Sequence, residues 1–188
     1  MIGWGEIMQT IAAIPNSLDF PDSEKPYVES ICGRLERKVS PRRKHAIMQG
    51  RLCAWLDRWA GERGEVGTEW RFYLVDGPRP SSLVPDVAYV SFARLPRGLP
   101  EDARERPRVA PDIAVEIWSP RDRESTLREK IELFLSNGTT VVIVVYPQER
   151  SVAFHERGRM TTQEAQGVLA VPGYDDLVLD ADALFENV

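Results

Sequence analysis

Three short runs of apolar residues predict the strands of a central sheet. TVVIVVY at 140–146 is the most hydrophobic run, and VAYVSF at 87–92 and IAVEIW at 113–118 are nearly as continuous. Continuous apolar runs are typical of strands that are covered on both faces. IAVEIW breaks this pattern at Glu116, where a carboxylate stands in place of an apolar side chain. Because burying an unpaired carboxylate is costly, we expect a cation beside Glu116.

Two stretches with helical spacing accompany these strands. Residues 42–60 should form the main N-terminal helix, with Ser40 as its cap and Pro41 at its first position. Residues 123–136 should form a second helix that stops at Asn137-Gly138. The first helix has an apolar stripe at helical spacing, formed by Ile47, Leu52, Cys53, Leu56 and Trp59.

The remaining segments complete an α/β pattern. Elements in this order predict a fold with a central mixed β-sheet flanked by helices. We expect a helix-and-loop extension at 1–26 and one domain at 27–188. The other predicted elements are a short helix at 5–13, a loop from Pro15 to Pro26, two strands with a turn at Gly33 within 27–39, a strand at 70–75, a mobile connection at 95–111, a hairpin at 151–163 with its turn near 156–159, and a short final helix.

Composition places the chain among ordinary globular proteins. It has 188 residues, of which 43% are apolar and 28% charged, enough for one domain with a real core. Cys32 and Cys53 form no CxxC pair and lie in apolar contexts, so we expect small core residues in a reducing, cytoplasmic setting. No run approaches the roughly 18 apolar residues of a membrane span, and we expect neither a span nor a signal peptide.

Charge is unevenly distributed, although the net charge is only −5. Residues 34–51 contain seven Lys or Arg against one Glu, and residues 155–188 contain seven acids against two Arg. Two interpretations stay open. The basic stretch is either a solvated helix start, with the acids forming a solvated tail, or a local patch that faces phosphate groups.

Acidic residues at the strand ends predict a metal site. Two strands begin with Pro-Asp, at Asp86 and Asp112, and alternation puts Asp112 and Glu116 on one face. If the two strands pair antiparallel, Asp86 lies near Glu116. Carboxylates about 4 Å apart repel by about 4 kcal/mol at an effective dielectric of about 20, and Mg²⁺ would reverse that sign. Each Asp could instead be a turn residue after its proline.

Lys130 is the candidate cation for this site. On the helix at 123–136 it shares a face with Leu127, Leu133 and Phe134, while its immediate neighbours are charged. Such a lysine can simply extend its ammonium to solvent. Beside two acids it could instead orient an attacking water or stabilise charge on a phosphate.

Several motifs, in order, resemble those of the bacterial Uma2 (Uma two) family, described as restriction endonucleases and placed in the PD-(D/E)XK nuclease superfamily. The resemblance covers most of residues 25–185 and implies a restriction-endonuclease-like core. The matching motifs are YVESICGRLERKVSP, His45, PDVAYV, PDIAVEIWSP, Leu127-Arg128-Glu129-Lys130, the Gly138 region and VPGYDDLVLD.

The resemblance assigns catalytic roles to the central trio. Asp86 matches the metal-binding Asp of the superfamily motif and Glu116 matches its second acid. The superfamily lysine normally stands two residues after that acid, where this chain has Trp118. The resemblance implies that the lysine has moved to the following helix, as Lys130.

Supporting residues also follow from the resemblance. Glu29 matches a glutamate of the N-terminal strand that could belong to the metal shell, and His45 matches a histidine that could touch phosphate. Ser119 could cap the turn after the acid strand, and Asp112 stays a supporting candidate. The chain departs from the family at Ser30, usually Leu, and at Cys32, usually an acid. For Glu29 and His45, a polar strand residue and a surface or packing histidine are the alternatives.

The expected function is metal-dependent endonuclease activity on nucleic acid, most readily DNA. Asp86 and Glu116 would hold Mg²⁺ or Mn²⁺, and the basic stretch 34–51 would steer the backbone. A non-catalytic nucleic-acid or protein-binding module is one alternative, and a hydrolase of another phosphate ester is a second. Superfamily members often dimerise, so the resemblance also brings a homodimer into consideration.

Overall fold

The computed structural model of the protein describes residues 27–38, 41–74, 79–120 and 122–188, and for residues 162–164 it describes the backbone alone. The predicted helix at 5–13, the loop before Pro26 and the capping role of Ser40 lie outside the described residues. Among the described residues, no helix is long and apolar enough to cross a membrane.

A mixed six-stranded sheet forms the centre of the molecule, in the order β10-β9-β8-β7-β6-β3. The β7–β8 pair is parallel and the other neighbours are antiparallel, as the sequence predicts for a mixed sheet. Its strands are β3 (Gly64–Thr68), β6 (Val87–Ser91), β7 (Ile113–Ile117), β8 (Val141–Tyr146), β9 (Ser151–Glu156) and β10 (Arg159–Glu164).

In the part of the chain that the structure describes, two smaller sheets and four α-helices surround this centre. One small sheet has the order β2-β1-β5-β4 and the other pairs β11 with β12. Their strands are β1 (Val28–Ile31), β2 (Arg34–Arg37), β4 (Phe72–Leu74), β5 (Ser81–Leu83), β11 (Val168–Ala170) and β12 (Val178–Asp180). The helices are α1 (Arg43–Ala60), α2 (Glu101–Glu105), α3 (Glu124–Ser136) and α4 (Ala181–Phe185).

Alternating side chains of the central strands divide the core into two halves. Ile113, Val115 and Ile117 of β7 face α1, α4 and the β11–β12 pair. Ala114 lies on the opposite face, in a cluster with α3 and the small sheet that contains β1. Both faces of the central sheet are therefore covered, which explains the continuous apolar runs of β7 and β8.

Helix α1 packs on the sheet through a row of residues four apart. Met48, Leu52, Leu56 and Ala60 are buried. The predicted stripe was one position off at its start, because Ile47 is only half-buried. The helix begins at Arg43, so Pro41 precedes it and does not occupy its first position. Its cap residue, Arg42, is extended and makes no side-chain capping bond.

Glycines end two of the predicted elements. Helix α3 stops before Gly138, whose φ is +96°, and Thr139 N then donates to Phe134 O at 3.0 Å. The β9–β10 hairpin turns at Gly158, whose φ is +76°. Only a residue without Cβ adopts such angles at little cost. The predicted helix stop and the predicted hairpin turn are both confirmed.

Five of the described elements have no counterpart in the prediction from sequence: β3, β5, β11, β12 and α2. The β3 run GEVGT has no apolar alternation, yet a Cβ at Gly64 would lie 2.3 Å from Val90 O, so close pairing with β6 requires glycine there. β5 consists largely of buried serines that are satisfied by hydrogen bonds. The connection at 95–111, which we expected to be mobile, contains helix α2. It also contacts a strand, because Pro107 O accepts a hydrogen bond from Tyr73 N of β4 at 2.9 Å.

Candidate active site at one end of the central sheet

The antiparallel β6–β7 pair brings Asp86 to Glu116. Val87 lies opposite Val115, and Asp86 N donates to Val115 O at 3.0 Å. Asp86 Oδ2 in turn accepts from Ile117 N at 2.7 Å, which fixes its carboxylate beside the end of β7. The antiparallel pairing that we expected for these two strands is confirmed.

Lys130 reaches this strand end from helix α3. Its Nζ lies 2.6 Å from Glu116 Oε1 and 3.1 Å from Glu29 Oε1. The residue is 5% exposed, so its ammonium does not extend to solvent. The apolar neighbours Leu127 and Phe134 anchor the same helix face in the core. Two carboxylates thus hold the ammonium in a fixed position.

Glu29 joins the cluster from β1. Its Oε1 accepts from Val84 N at 2.7 Å as well as contacting Lys130. Glu29 is buried and contacts Lys130, and its membership of a metal shell stays a prediction.

Lys38 also belongs to the cluster, although from the sequence it was recognised only as part of the basic stretch 34–51. Its Nζ lies 2.7 Å from Asp86 Oδ1 and donates to Val84 O at 2.8 Å. A signal was available in the β1–β2 hairpin. Glu29 pairs with Glu36, and Lys38 N donates to Tyr27 O, so Lys38 and Glu29 are on the same face of the hairpin.

Helix α1 contributes two further contacts to Asp86. His45 Nε2 lies 3.4 Å from Asp86 Oδ1, and Gln49 Nε2 donates to Asp86 O at 2.9 Å. The two side chains are four residues apart and therefore share one helix face. His45 accordingly contacts the site through Asp86.

The surroundings of Asp86 and Glu116 shift the pKa values of these two carboxyl groups in opposite directions. Burial raises the pKa of Glu116 to about 7, against the attraction of Lys130. Burial also acts to raise the pKa of Asp86, but the charge of Lys38 and the hydrogen bond with His45 outweigh it and hold that pKa well below its ordinary value. Asp86 is therefore ionised near neutral pH, whereas Glu116 is close to its midpoint.

Both lysines keep their protons. Burial alone would lower the pKa of Lys130, but Glu116 and Glu29 outweigh it and raise that pKa above its ordinary value. The pKa of Lys38 is likewise raised, because Asp86 outweighs the effect of burial. Neither side chain can serve as a base, and each is a fixed positive charge.

Comparison with known proteins decides the family. The family model Uma2, described as "Putative restriction endonuclease", matches residues 14–181. The chain belongs to the Uma2 family. No curated protein matches it.

A solved crystal structure supports the predicted fold. The crystal structure of a protein from Anabaena variabilis, titled as a "putative nuclease belonging to DUF820", has a TM-score of 0.76 and 24% identity to this chain. The match covers 86% of this chain and 91% of that one. The predicted restriction-endonuclease-like core, a central mixed sheet flanked by helices, is thereby confirmed.

Trp118 stands in this Uma2 chain at the position of the superfamily lysine. Its ring centroid lies 6.3 Å from that of Tyr146, and the side chain lines the cavity beside the cluster. An ammonium nevertheless meets Glu116, because α3 supplies Lys130 from the adjacent layer. That Lys130 takes the place of the superfamily lysine stays a prediction from the resemblance.

Two supporting candidates have different positions. Ser119 N donates to Asp122 Oδ2 at 2.8 Å and Asp122 N donates to Ser119 O at 2.8 Å, so the turn next to the cavity is closed by Asp122 and the Ser119 backbone. Asp112 is not brought to the site. It precedes β7 at the other end of the strand, where Arg94 Nε lies 3.0 Å from its Oδ1.

The cluster opens into a cavity of about 560 Å³. Part of the predicted basic patch surrounds it, but Arg34 pairs with Glu36 and Glu129, and Arg51 donates to carbonyls near the C-terminus. Long-range attraction for a phosphate backbone can come from exposed basic side chains that line a cleft. Among the residues that the structure describes, the exposed cations lining this cavity are Arg37, Arg42, Arg43, Lys44 and Arg123.

The acidic C-terminal stretch has structural contacts. Asp180 Oδ1 accepts from Ala183 N at 3.0 Å and caps α4, while Asp182 Oδ2 accepts from Gly167 N at 3.1 Å. Asp176 forms an ion pair with Arg63 at 2.6 Å. These three acids are therefore more than a solvated tail.

The cluster contains carboxylates, which are the ligand type that a hard divalent metal takes. In the described ranges, the Lys130 ammonium is the only hydrogen-bonding group that contacts Glu116 Oε1. Those ranges contain no group of three or more His, Cys, Asp or Glu arranged as a metal site. Mg²⁺ is commonly bound through one or two carboxylates plus water and phosphate, which two acids satisfy. When Glu116 is ionised, the described residues of the cluster have an excess of one negative charge. The carboxylates of Glu29, Asp86 and Glu116 then face the two ammonium groups of Lys38 and Lys130.

Proposed function

We propose that this Uma2 protein is a metal-dependent endonuclease that hydrolyses phosphodiester bonds of DNA. The supporting observation is the buried cluster of Asp86, Glu116 and Lys130, which has an excess of negative charge and opens into a cavity lined by basic residues. Its fold and family belong to proteins described as nucleases.

Each residue of the trio has a defined task in this proposal. Asp86 and Glu116 would hold Mg²⁺ or Mn²⁺, which when bound polarises a phosphoryl oxygen and activates water. Lys130 forms ion pairs with Glu116 and Glu29, so its ammonium would lie beside the bound metal and could contact a water molecule or a phosphate oxygen. Since it stays protonated, it stabilises negative charge and does not remove a proton.

The exposed cations lining the cavity would position the substrate. Arg42, Arg43 and Lys44 belong to the start of α1, where they can contact phosphates without reading bases. Such contacts bring affinity that falls with salt concentration and carry no sequence information. Low sequence specificity is therefore part of the proposal.

One observation favours a second candidate, a nucleic-acid-binding module that keeps the fold without catalysis. Both oxygens of Asp86 already have partners, Lys38 on Oδ1 and Ile117 N on Oδ2. A site in which these contacts are permanent would not admit a metal.

Cleavage of plasmid and single-stranded DNA with Mg²⁺ or Mn²⁺ tests the proposal. We expect Glu116→Gln and Lys130→Met to lower the rate by roughly a hundredfold or more, as losses of charge stabilisation do. Arg128→Met is the matched control, because Arg128 lies on the solvent side of the same helix and pairs with Glu124. Circular dichroism would establish that each variant is folded.

The outcomes separate the two candidates. Metal-dependent cutting that is lost in both site variants and kept in Arg128→Met supports the endonuclease. DNA binding without cutting by the wild type, with no Mn²⁺ binding in calorimetry, would favour the binding module.

A further inference from the structure

In the described part of the chain, three groups contact the carboxylate of Asp86: Lys38 and, at 3.4 Å, His45 on Oδ1, and the end of β7 on Oδ2. Lys38 Nζ lies 2.7 Å from Oδ1, and Ile117 N donates to Oδ2 at 2.7 Å. The amide belongs to the last residue of β7 and is fixed by the sheet, whereas the ammonium is at the end of a flexible side chain. Oδ1 is therefore the oxygen that can exchange its partner.

We propose that Lys38 is an exchangeable counter-ion of Asp86: its ammonium neutralises Asp86 in the metal-free protein, gives way to the divalent metal, and then faces the phosphate in the cavity. This inference rests on the proposed function, which supplies both the metal and the phosphate. It gives the two buried lysines different tasks.

The contacts of the two lysines support this difference. Lys130 lies between two carboxylates, and its side chain is 7% exposed. Lys38 has one carboxylate and one carbonyl as partners, and its side chain is 15% exposed and lines the cavity. Lys38 is therefore the less firmly held of the two, and it has space into which its ammonium can turn.

Charge also favours an exchange. The cluster has one more carboxylate than ammonium groups, and loss of the Lys38 charge from Asp86 would leave two uncompensated negative charges there. A divalent cation would match that deficit. Lys38 thus stabilises the acids before the metal binds and competes with the metal for one of them.

A purely structural role for Lys38 makes the opposite prediction. Lys38 Nζ also holds Val84 O at 2.8 Å, two residues before Asp86. If Lys38 only positions this segment, its removal misplaces Asp86 and weakens metal binding. If it competes with the metal, its removal strengthens metal binding.

Titration calorimetry with MnCl₂ in the absence of DNA distinguishes the two roles. We expect Lys38→Met to bind Mn²⁺ about tenfold more tightly than the wild type, the factor that one charged hydrogen bond represents. Lys38→Arg keeps the charge and should stay within about twofold of the wild type by the same reasoning. Arg34→Met is the matched control, because Arg34 is on the same hairpin but pairs with Glu36 and Glu129.

A second neutral variant guards against misfolding. Lys38→Gln keeps an N–H donor for Val84 O and has the same expected gain in Mn²⁺ affinity. Equal or weaker Mn²⁺ binding by the folded neutral variants, or no binding by any of the proteins, would overturn the role of Lys38.

DNA cleavage separates this inference from the proposed function. Lys38→Met should cut DNA more slowly than the wild type at saturating Mn²⁺, even though it binds the metal more tightly. A wild type that cuts DNA while Lys38→Met binds Mn²⁺ more weakly would refute the exchange and leave the endonuclease standing. A wild type that never cuts would refute the endonuclease, whatever the calorimetry shows.

Discussion

The two ends of the β6–β7 strand pair each carry a Pro-Asp dipeptide but differ in charge balance. At one end, Asp112 faces one cation, Arg94, and accepts from Ser91 N at 2.7 Å. Arg94 also donates hydrogen bonds to Ala110 O and Gly138 O and so connects two loops. The charges of Asp112 and Arg94 neutralise each other, so their ion pair has a structural role without any further cation.

At the other end of the strand pair, the buried carboxylates outnumber the lysine ammonium groups that contact them. Asp86 meets Lys38 and His45, but Glu116 and Glu29 share one ammonium, that of Lys130. This end also adjoins a cavity, whereas Asp112 does not line it. Both ends have an Asp that begins a strand, so the sequence position alone does not distinguish them. The excess of negative charge does, and it is the reason that the proposed metal site is at Asp86 and not at Asp112.

The strongest test of this comparison removes the two Asp charges in turn. Asp86→Asn should lower metal-dependent DNA cleavage by roughly a hundredfold or more, because it removes a proposed metal ligand and a site charge. Asp112→Asn should keep the cleavage rate within a few-fold, because its contacts are confined to the far end of β7. Plasmid cleavage at saturating Mn²⁺ measures both.

Asp112→Asn should instead act on stability. Its loss leaves the partly buried Arg94 without its carboxylate, which we expect to cost about 1–2 kcal/mol in the free energy of unfolding. Urea denaturation measures this cost. A loss of cleavage in folded Asp112→Asn equal to that in Asp86→Asn would contradict the distinction between the two ends.

The second test uses pH on the metal-free protein. The pKa of Glu116 is raised from 4.5 to about 7, so the folded state holds a proton that the unfolded state releases. Stability from this group is therefore full below pH 4.5 and is lost as pH rises to about 7. Glu116→Gln lacks this loss, so its stability relative to the wild type should rise over that window, by at most about 3 kcal/mol.

Thermal unfolding in EDTA at several pH values measures this difference. Asp112→Asn serves as the comparison, since it leaves Glu116 in place and should follow the wild-type pH dependence from about pH 5 to about pH 8. A difference between Glu116→Gln and the wild type that stays constant with pH would contradict the raised pKa.

The smallest effect concerns DNA binding at the two ends. Replacing Arg42 and Arg43 with Ala should reduce the slope of log affinity against log salt by about two, because each contacts one phosphate in the proposal. Arg97→Ala should change it little, since Arg97 lies near the other end and pairs with Glu62. Fluorescence anisotropy without divalent metal measures the slopes, and equal slopes for both variants would contradict a phosphate-binding role of this rim.

The sequence predicted the parts of the fold that have a strong local pattern. β7, β8 and α3 follow from apolar runs or helical spacing, and the meeting of Asp86 with Glu116 follows from strand pairing. β3 and β5 were missed because Gly64 and the buried serines of β5 have a meaning only through their partners. Lys38 was missed because its contact with Asp86 joins segments 48 residues apart.

The β1–β2 hairpin positions two charged side chains in the site, the carboxylate of Glu29 before its two-residue turn and the ammonium of Lys38 after it. Cys32 and Gly33 both have positive φ, +50° and +81°, and this turn sets the register that puts Glu29 and Lys38 on one face. A slip of β2 by one residue against β1 would turn Lys38 to the opposite face while Glu29 stays in place, because β1 also pairs with β5. Gly33 therefore decides from a distance whether the two opposite charges meet. Under the proposed function, a mutation there should alter metal affinity and substrate turnover together while leaving every charged residue of the chain unchanged.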